Sequence, residues 1–168
     1  ARQRGRGPRG EAQQRRLTLD PIRQRHHGLV RPRQPQLQFH PSPAGPNAAP
    51  LLAPGLRSSR IHVLDVKEDP RSPKLVKVIE AEEIARKAGY SRPHTVHCGP
   101  DGIYVSALGN PEGDGPGGIF LLDHDDFSVK GQWEDDRGTQ ELAYDFWWHL
   151  NHDTLITSEW GRPNMVED

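Results

Sequence analysis

The sequence predicts an all-β fold: a partial β-propeller with one short helix, preceded by a disordered segment of about 50 residues. Short β-branched or aromatic runs, each bounded by turn residues, follow one another through the last two thirds of the 168-residue chain. Their pattern recurs after 50 to 58 residues, and repeats of roughly 40–50 residues are typical of propeller blades. The beginning of the chain lacks the apolar residues that a packed core requires.

The first 60 residues carry twelve arginines, no lysine and only two acids, Glu11 and Asp20. Their net charge is +10, whereas the rest of the chain has a net charge of −11. Nine of the 16 prolines also lie in this segment. It cannot bury enough apolar surface to offset the entropy of folding, so we expect residues 1–50 to be disordered. An arginine-rich nucleic-acid arm is the alternative, but without lysine or interleaved aromatic residues we expect no nucleic-acid partner.

From residue 51 onward, local patterns define each element in turn. An apolar run at residues 51–53 ends at Pro54 and Gly55, and strands follow. The helical stretch covers residues 81–88, with acids early, bases late and Gly89 as its stop. The predicted strands cover residues 60–66, 75–79, 103–108, 119–123, 129–133, 144–148 and 154–158.

The strands repeat as units. Residues 61–65 match residues 119–123, and residues 98–106 match residues 148–157. The repeat predicts one whole blade from about His94 to Glu134, the end of a preceding blade and the start of a third, all within residues 51–168. A β-sandwich is the alternative fold.

One stretch concentrates groups that bind metals: His94, His97 and the chain's only thiol, Cys98, lie within five residues. A Pro-Asp-Gly turn signal follows, so these groups should lie at a strand end. Residues three apart point to opposite faces of a regular strand, so both imidazoles can reach one ion only where the backbone bends. The alternative is a pair of hydrogen-bonded histidines at a turn.

From residue 54 onward the sequence closely resembles the selenium-binding protein family, whose enzymatic members are methanethiol oxidases. The resemblance is carried by His-Thr-Val-His-Cys at residues 94–98 and by further motifs in fixed order. Those motifs lie at residues 55–65, 73–75, 117–123, 144–147 and 158–160. The family's full-length chain is far longer and resembles a seven-bladed propeller. The resemblance therefore implies a fragment holding about two blades, a reading that also suits a chain without an initiating methionine.

The resemblance implies a copper-dependent oxidation in which methanethiol, O2 and water give formaldehyde, hydrogen sulfide and hydrogen peroxide. It makes His94 and His97 the ligand candidates, and histidine suits a copper ion that cycles between oxidation states. We expect a small thiol and O2 as substrates, selenium species as a further ligand, and no activity from the isolated fragment. The alternative is a non-catalytic propeller that binds selenium species or protein partners.

Further candidates have plainer alternatives. Cys98 could be a third metal ligand or a selenium- or thiol-reactive group, although a lone cysteine at a strand end is more often a small buried hydrophobe. Aromatic residues of repeated sheets usually belong to the core, but some could line a central channel. The candidates for that lining are Tyr144, Asp145, Trp147, Trp148 and Trp160.

The chain departs from the family upstream of residue 54. Family members carry His-His-x-Gly-Trp and then a Cys-Ser-Ser-Cys-like stretch, whereas this chain has His26 and His27 without the Trp or the cysteines. A shift of one base in plausible GC-rich codons would restore a Trp-Ser pair, so residues before about Phe39 could be out of frame. On that hypothesis the ligand roles of the family's His-His pair cannot be transferred to His26 and His27.

The sequence shows no apolar run near the roughly 18 residues of a membrane span, and one cysteine excludes an internal disulfide framework. We therefore expect a soluble protein, cytoplasmic or periplasmic, with no membrane partner.

Overall fold

The computed structural model describes residues 50–149, 152 and 154–166, so the predicted disorder of residues 1–50 falls almost wholly outside the described part. The elements are β1 (Pro50–Gly55), β2 (Arg60–Asp65), β3 (Lys74–Ile79), α1 (Ala81–Ala88), β4 (Ser91–Gly99), β5 (Gly102–Gly109), β6 (Gly118–Leu122), β7 (Val129–Gln132), β8 (Phe146–His149), β9 (Thr154–Thr157) and α2 (Pro163–Val166). Each of the seven predicted strands is present within about two residues of its predicted bounds.

The strands form three antiparallel sheets in which sequence neighbours are always spatial neighbours. Their orders are β1-β2-β3, β4-β5-β6-β7 and β8-β9. The four-stranded sheet corresponds to the unit predicted from His94 to Glu134, and the other two correspond to the predicted partial units. Within the described residues these sheets are open, and the mostly β architecture with a short helix is confirmed.

The helix α1 forms where the sequence predicted it. Glu82 and Glu83 lie in its first turn and Arg86 and Lys87 in its last, which complements the helix dipole. Gly89 ends the helix at φ 68° and donates its N–H to the Ala85 carbonyl. The one-turn helix α2 was not predicted, and no helix among the described residues is long and apolar enough to cross a membrane.

Two apolar cores cover the two faces of the four-stranded sheet. The larger lies between this sheet, the β1-β2-β3 sheet and α1, and the smaller lies against β8-β9. Strand β5 is consequently buried at all eight positions, as expected for a strand covered on both faces. Successive side chains of β5 point to opposite faces of the sheet and so pack in different cores. Ile103, Val105 and Ala107 belong to the larger core, and Tyr104 belongs to the smaller one.

Candidate metal and thiol site

A bulge in β4 sets the direction of the two candidate imidazoles. Pro93 pairs with Ala107 and Val96 pairs with Val105, so three steps along β4 oppose two steps along β5. The extra residue falls in the segment that contains His94 and Thr95. In a regular strand His94 and His97 would point to opposite faces, but one inserted residue brings them to the same face. The backbone bend that both imidazoles need in order to face the same way is therefore present.

Both imidazoles contact the segment that leads into and through β8. The His94 ring lies 4.3 Å from the Tyr144 ring, centroid to centroid, with an interplanar angle of 33°. The His97 ring meets Phe146 at 5.0 Å and Trp147 at 4.9 Å, in both cases edge to face. The two rings thus share one aromatic wall between the second and third sheets.

A short chain of hydrogen bonds holds the bulge in place. The Thr95 N–H donates to Ser106 Oγ at 3.0 Å, and Ser106 Oγ donates to the Tyr144 carbonyl at 2.7 Å. Ser106 is buried, with 1 % of its surface exposed. Its single hydroxyl therefore connects the bulge in β4 to the segment that carries the aromatic wall.

The Nδ1 atom of His94 lies 3.0 Å from Thr95 Oγ1. In the tautomer whose Nδ1–H donates to that oxygen, the Nε2 lone pair is left for a ligand. A hydrogen bond at the second ring nitrogen also orients the imidazole, as it does in many metal sites. This arrangement suits His94 as a ligand.

Within the described residues, no three His, Cys, Asp or Glu side chains are grouped closely enough to hold a metal ion. His94 and His97 would thus supply two donors, half of a four-coordinate set. Any further His, Cys, Asp or Glu ligand would have to come from outside the described part of the chain.

Cys98 is exposed, which contradicts the alternative of a small buried hydrophobe. The β4–β5 register is regular from Val96 to Gly99, so Cys98 and His97 point to opposite faces of the strand. The geometry therefore gives no support to a third-ligand role beside the two imidazoles. A selenium- or thiol-reactive role stays a prediction that accessibility allows.

The residues predicted to line a channel divide into two groups. Tyr144 and Trp147 contact the imidazoles, and Trp147 is 66 % exposed. Asp145 is exposed and its Oδ1 accepts a hydrogen bond from the Phe146 N–H at 2.7 Å, so its carboxylate stabilises the start of β8. A channel itself stays a prediction.

Trp148 connects the aromatic wall to the four-stranded sheet. Its ring packs edge to face on Tyr104 at 4.4 Å, and the Tyr104 hydroxyl donates to Asp101 Oδ2 at 2.8 Å. Burial, followed by the neighbouring Asp101 carboxylate, raises the pKa of Tyr104 well above its ordinary value. Tyr104 is therefore a neutral packing partner whose hydroxyl is bonded to Asp101.

Sequence reasoning missed Ser106 and Phe146. Ser106 is the one aliphatic hydroxyl in the largely apolar run of β5, and a polar group inside such a run must find a buried hydrogen-bond partner. That signal could have identified it. Phe146 belongs to a motif whose other aromatic residues were considered, and only the packing distinguishes which of them meets His97.

Comparison with known proteins places this arrangement in a family. A sequence profile of the 56 kDa selenium-binding protein matches residues 40–168. The chain is 49 % identical over 119 residues to methanethiol oxidase from Bos taurus and 47 % identical over 119 residues to selenium-binding protein 2 from Mus musculus. Each match covers 70 % of this chain and 25 % of the relative.

A solved structure agrees with these matches. The X-ray structure of a hypothetical selenium-binding protein from Sulfolobus tokodaii superposes with a TM-score of 0.69 and 61 % identity, over 73 % of this chain and 28 % of that one. The chain thus spans about a quarter of the length of the relatives it matches. Together, the profile, the relatives and the shared fold show that the chain belongs to the 56 kDa selenium-binding protein family.

Proposed function

We propose that this chain is one sector of a copper-dependent methanethiol oxidase, to which it contributes His94 and His97 as metal ligands. The observation that carries the proposal is the bulge in β4, which brings both imidazoles to one aromatic-lined face. In the proposed reaction methanethiol, O2 and water give formaldehyde, hydrogen sulfide and hydrogen peroxide. The relatives named methanethiol oxidase support the reaction class.

Copper, when bound, would supply the one-electron cycling that chemistry with O2 requires. Residues of this chain would bind the ion and fix its surroundings. His94 and His97 would hold the ion, with Thr95 Oγ1 orienting the His94 ring and Ser106 fixing the bulge beneath both. Because the described residues add no third donor, the proposal requires ligands from another part of the longer protein.

The aromatic wall suits a small apolar thiol. Phe146 and Trp147 meet His97 edge on, and aromatic rings make favourable contacts with sulfur and with methyl groups. The wall would hold the methyl and sulfur atoms of methanethiol next to the imidazoles and would exclude water from one side. The rings of Tyr144, Phe146 and Trp147 themselves carry no charge that would select a larger, charged thiol.

The architecture we propose for the whole protein is a propeller. In every sheet the strand order follows the sequence, the meander expected of propeller blades rather than the Greek-key order common in β-sandwiches. The remaining three quarters of the relatives' length would supply the other blades. Since a ligand set and a closed ring both depend on those blades, we propose that the chain is inactive alone.

A second function is favoured by one relative and one side chain. Selenium-binding protein 2 is 47 % identical over the matched region, and Cys98 is exposed. A non-catalytic propeller that takes up selenium species through an accessible thiol would fit both facts. It predicts selenium binding that depends on Cys98 and not on the two histidines.

A chimera tests the proposal with the residues of this chain. The matched 119-residue segment of the Bos taurus methanethiol oxidase is replaced by the corresponding segment of this chain. We expect copper binding and release of hydrogen peroxide from methanethiol. Both should be lost in the His94→Gln and His97→Gln variants and kept in His124→Gln, a change to an exposed histidine in the turn between β6 and β7. A chimera that folds and binds copper but releases no peroxide would favour the non-catalytic function.

A further inference from the structure

The first sheet carries apolar side chains on both of its faces, although the described residues cover only one of them. Ile61 and Val63 of β2 are fully buried in the larger core, which lies against the four-stranded sheet. Because successive side chains of a strand alternate, His62 and Leu64 point to the opposite face, which we call the rear face. With the residues that pair with these two in β1 and β3, the rear face consists of Leu51, Ala53, His62, Leu64, Leu75 and Val78.

The rear face has the composition of a contact surface. Five of its six side chains are apolar, and Leu51, Leu64 and Leu75 form one row across the three strands. The two ends of that row, Leu51 and Leu75, are 49 % and 60 % exposed. An antiparallel sheet with one face in water usually carries polar side chains on that face. We therefore expect the rear face to be covered in solution.

The internal repeat indicates what kind of surface covers it. Residues 61–65 match residues 119–123, so β2 corresponds to β6 and Leu64 corresponds to Leu122. Leu122 and Phe120 belong to the larger core and are 0 % exposed, because the first sheet and α1 lie against them. The face of the four-stranded sheet that corresponds to the rear face is thus packed against another sheet.

The other end of the molecule offers a sheet face that is also uncovered among the described residues. The four-stranded sheet packs one face against the first sheet and the other against the third. The third sheet packs Trp148 and Leu155 against the smaller core, so the paired residues Trp147 and Ile156 lie on its opposite face. Both are exposed, and we call this the front face. The described structure is therefore a stack of three sheets with an apolar face at each end.

We propose that copies of this chain associate head to tail, with the front face of one copy packed on the rear face of the next. The contact continues the stacking of sheets that already occurs twice within the chain. A symmetric contact between two front faces would instead leave both rear faces in water. Since a head-to-tail contact joins two different surfaces, each added copy presents both faces again, and the assembly grows beyond a dimer or closes into a ring. The inference concerns the chain itself and does not depend on the proposed oxidase function.

The test uses two variants of the full 168-residue chain, each with one face blocked by charge. Leu51→Lys/Leu75→Glu blocks the rear face, and Trp147→Glu/Ile156→Lys blocks the front face. In sedimentation, the unmodified chain should form species larger than a dimer, and each variant alone should be a monomer. An equimolar mixture of the two variants should form a dimer with one copy of each, because one supplies the intact front face and the other the intact rear face.

The mixture distinguishes this contact from a symmetric one. If front faces paired with each other, the rear-face variant would associate as the unmodified chain does, and that result would overturn the inference. A mixture that stays monomeric would overturn it too. An unmodified chain that sediments as a monomer would assign the rear face to a different polypeptide and count equally against it.

Two controls accompany the mixture. Glu82→Lys/Arg86→Glu exchanges two exposed charges on α1 and should leave the assembly unchanged. Circular dichroism and urea unfolding show whether each blocked variant is folded, which we expect because all four substituted positions are exposed. Should a charged variant fail to fold, threonine at the same two positions, which favours strands, takes its place in the same mixture.

Discussion

Ser106 is the residue on which the candidate site depends most directly, although it is not one of the two proposed metal-binding histidines. Its hydroxyl accepts from the Thr95 N–H and donates to the Tyr144 carbonyl, and it is buried. Removal of the hydroxyl leaves a backbone donor and a backbone acceptor without their partner, and each such loss in a buried place costs about 1–3 kcal/mol. The bulge and the aromatic wall would then no longer be held together.

We therefore expect Ser106→Ala to lower the free energy of unfolding by about 1–3 kcal/mol and to weaken metal binding by the His94 and His97 pair. Urea unfolding of the chain measures the first effect, and a Cu²⁺ titration of the chimera measures the second. Ser72→Ala is the matched control, because Ser72 is exposed and should change stability by no more than about 0.5 kcal/mol. An equal effect of the two substitutions would remove Ser106 from its positioning role.

Glu134 is the half-buried acid of a second polar network, away from the imidazoles. Its Oε1 accepts from the Ile119 N–H at 2.6 Å, and its Oε2 accepts from the Tyr90 hydroxyl at 3.3 Å. Arg137 completes the network by donating to the Tyr90 oxygen at 2.7 Å. Burial raises the pKa of Glu134 in spite of these hydrogen bonds and the nearby guanidinium.

A raised pKa in the folded state makes the stability depend on pH in a definite direction. The folded chain holds the Glu134 proton more tightly than the unfolded chain. The stabilisation that this proton gives the folded state is therefore complete below the unfolded pKa of Glu134 and is lost as pH rises through its folded pKa. Relative to Glu134→Gln, the unmodified chain should thus lose stability as pH rises above the ordinary glutamate pKa of about 4.3. Urea unfolding of both chains at several pH values gives the difference, and a difference that is constant or grows with pH would contradict the assignment.

At the scale of elements, the sequence predicted well what is local and poorly what is not. The seven predicted strands and α1 were placed correctly, because turn residues, β-branched runs and the Gly89 stop act within a few positions. No bounds were predicted for β1 and β4. From the sequence, a bend in β4 could be stated only as a requirement for both imidazoles to reach one ion, because a register shift depends on the partner strand. Likewise, the sequence alone could not assign Phe146 to His97, since that contact follows from packing between sheets.

Gly99 shows how closely the elements around the site approach one another. A Cβ atom there would lie 2.4 Å from a ring atom of Trp148 and 2.5 Å from one of Tyr104. Only a residue without a side chain lets both rings pack against the end of β4. The aromatic contact between β8 and the four-stranded sheet therefore depends on this glycine.

We expect Gly99→Ala to lower the free energy of unfolding by about 1–3 kcal/mol through overpacking. Adding Trp148→Leu removes the nearest clashing ring atoms, so the double variant should be less destabilised than the sum of the two single variants. Unfolding measurements on all four chains of this cycle give the coupling energy. Strict additivity would mean that the clash is relieved elsewhere.

At the scale of the whole molecule, the sheets end in apolar surface that nothing in the described structure covers. Trp147 and Ile156 face each other across β8 and β9 and are 66 % and 65 % exposed. On the first sheet, Leu75 is 60 % exposed. Soluble monomers rarely leave large apolar patches in water, and such patches usually mark a contact surface. The chain also spans only about a quarter of its relatives' length, so in the proposed propeller the neighbouring blades would cover these surfaces.

The isolated chain should therefore associate with itself through the β8–β9 face. Burial of large apolar side chains gains about 1.5–3 kcal/mol each, and the open edges of short sheets add backbone donors and acceptors that can pair with a second copy. Sedimentation of the unmodified chain should show species larger than a monomer at tens of micromolar concentration, whereas Trp147→Glu/Ile156→Lys should shift the population toward monomer. Lys67→Glu, a charge change at an exposed position outside the strands, is the control and should leave the distribution unchanged. If the unmodified chain sediments as a monomer throughout, Trp147 and Ile156 are stable in contact with water. The main physical reason for placing neighbouring blades of the proposed propeller against this face then disappears.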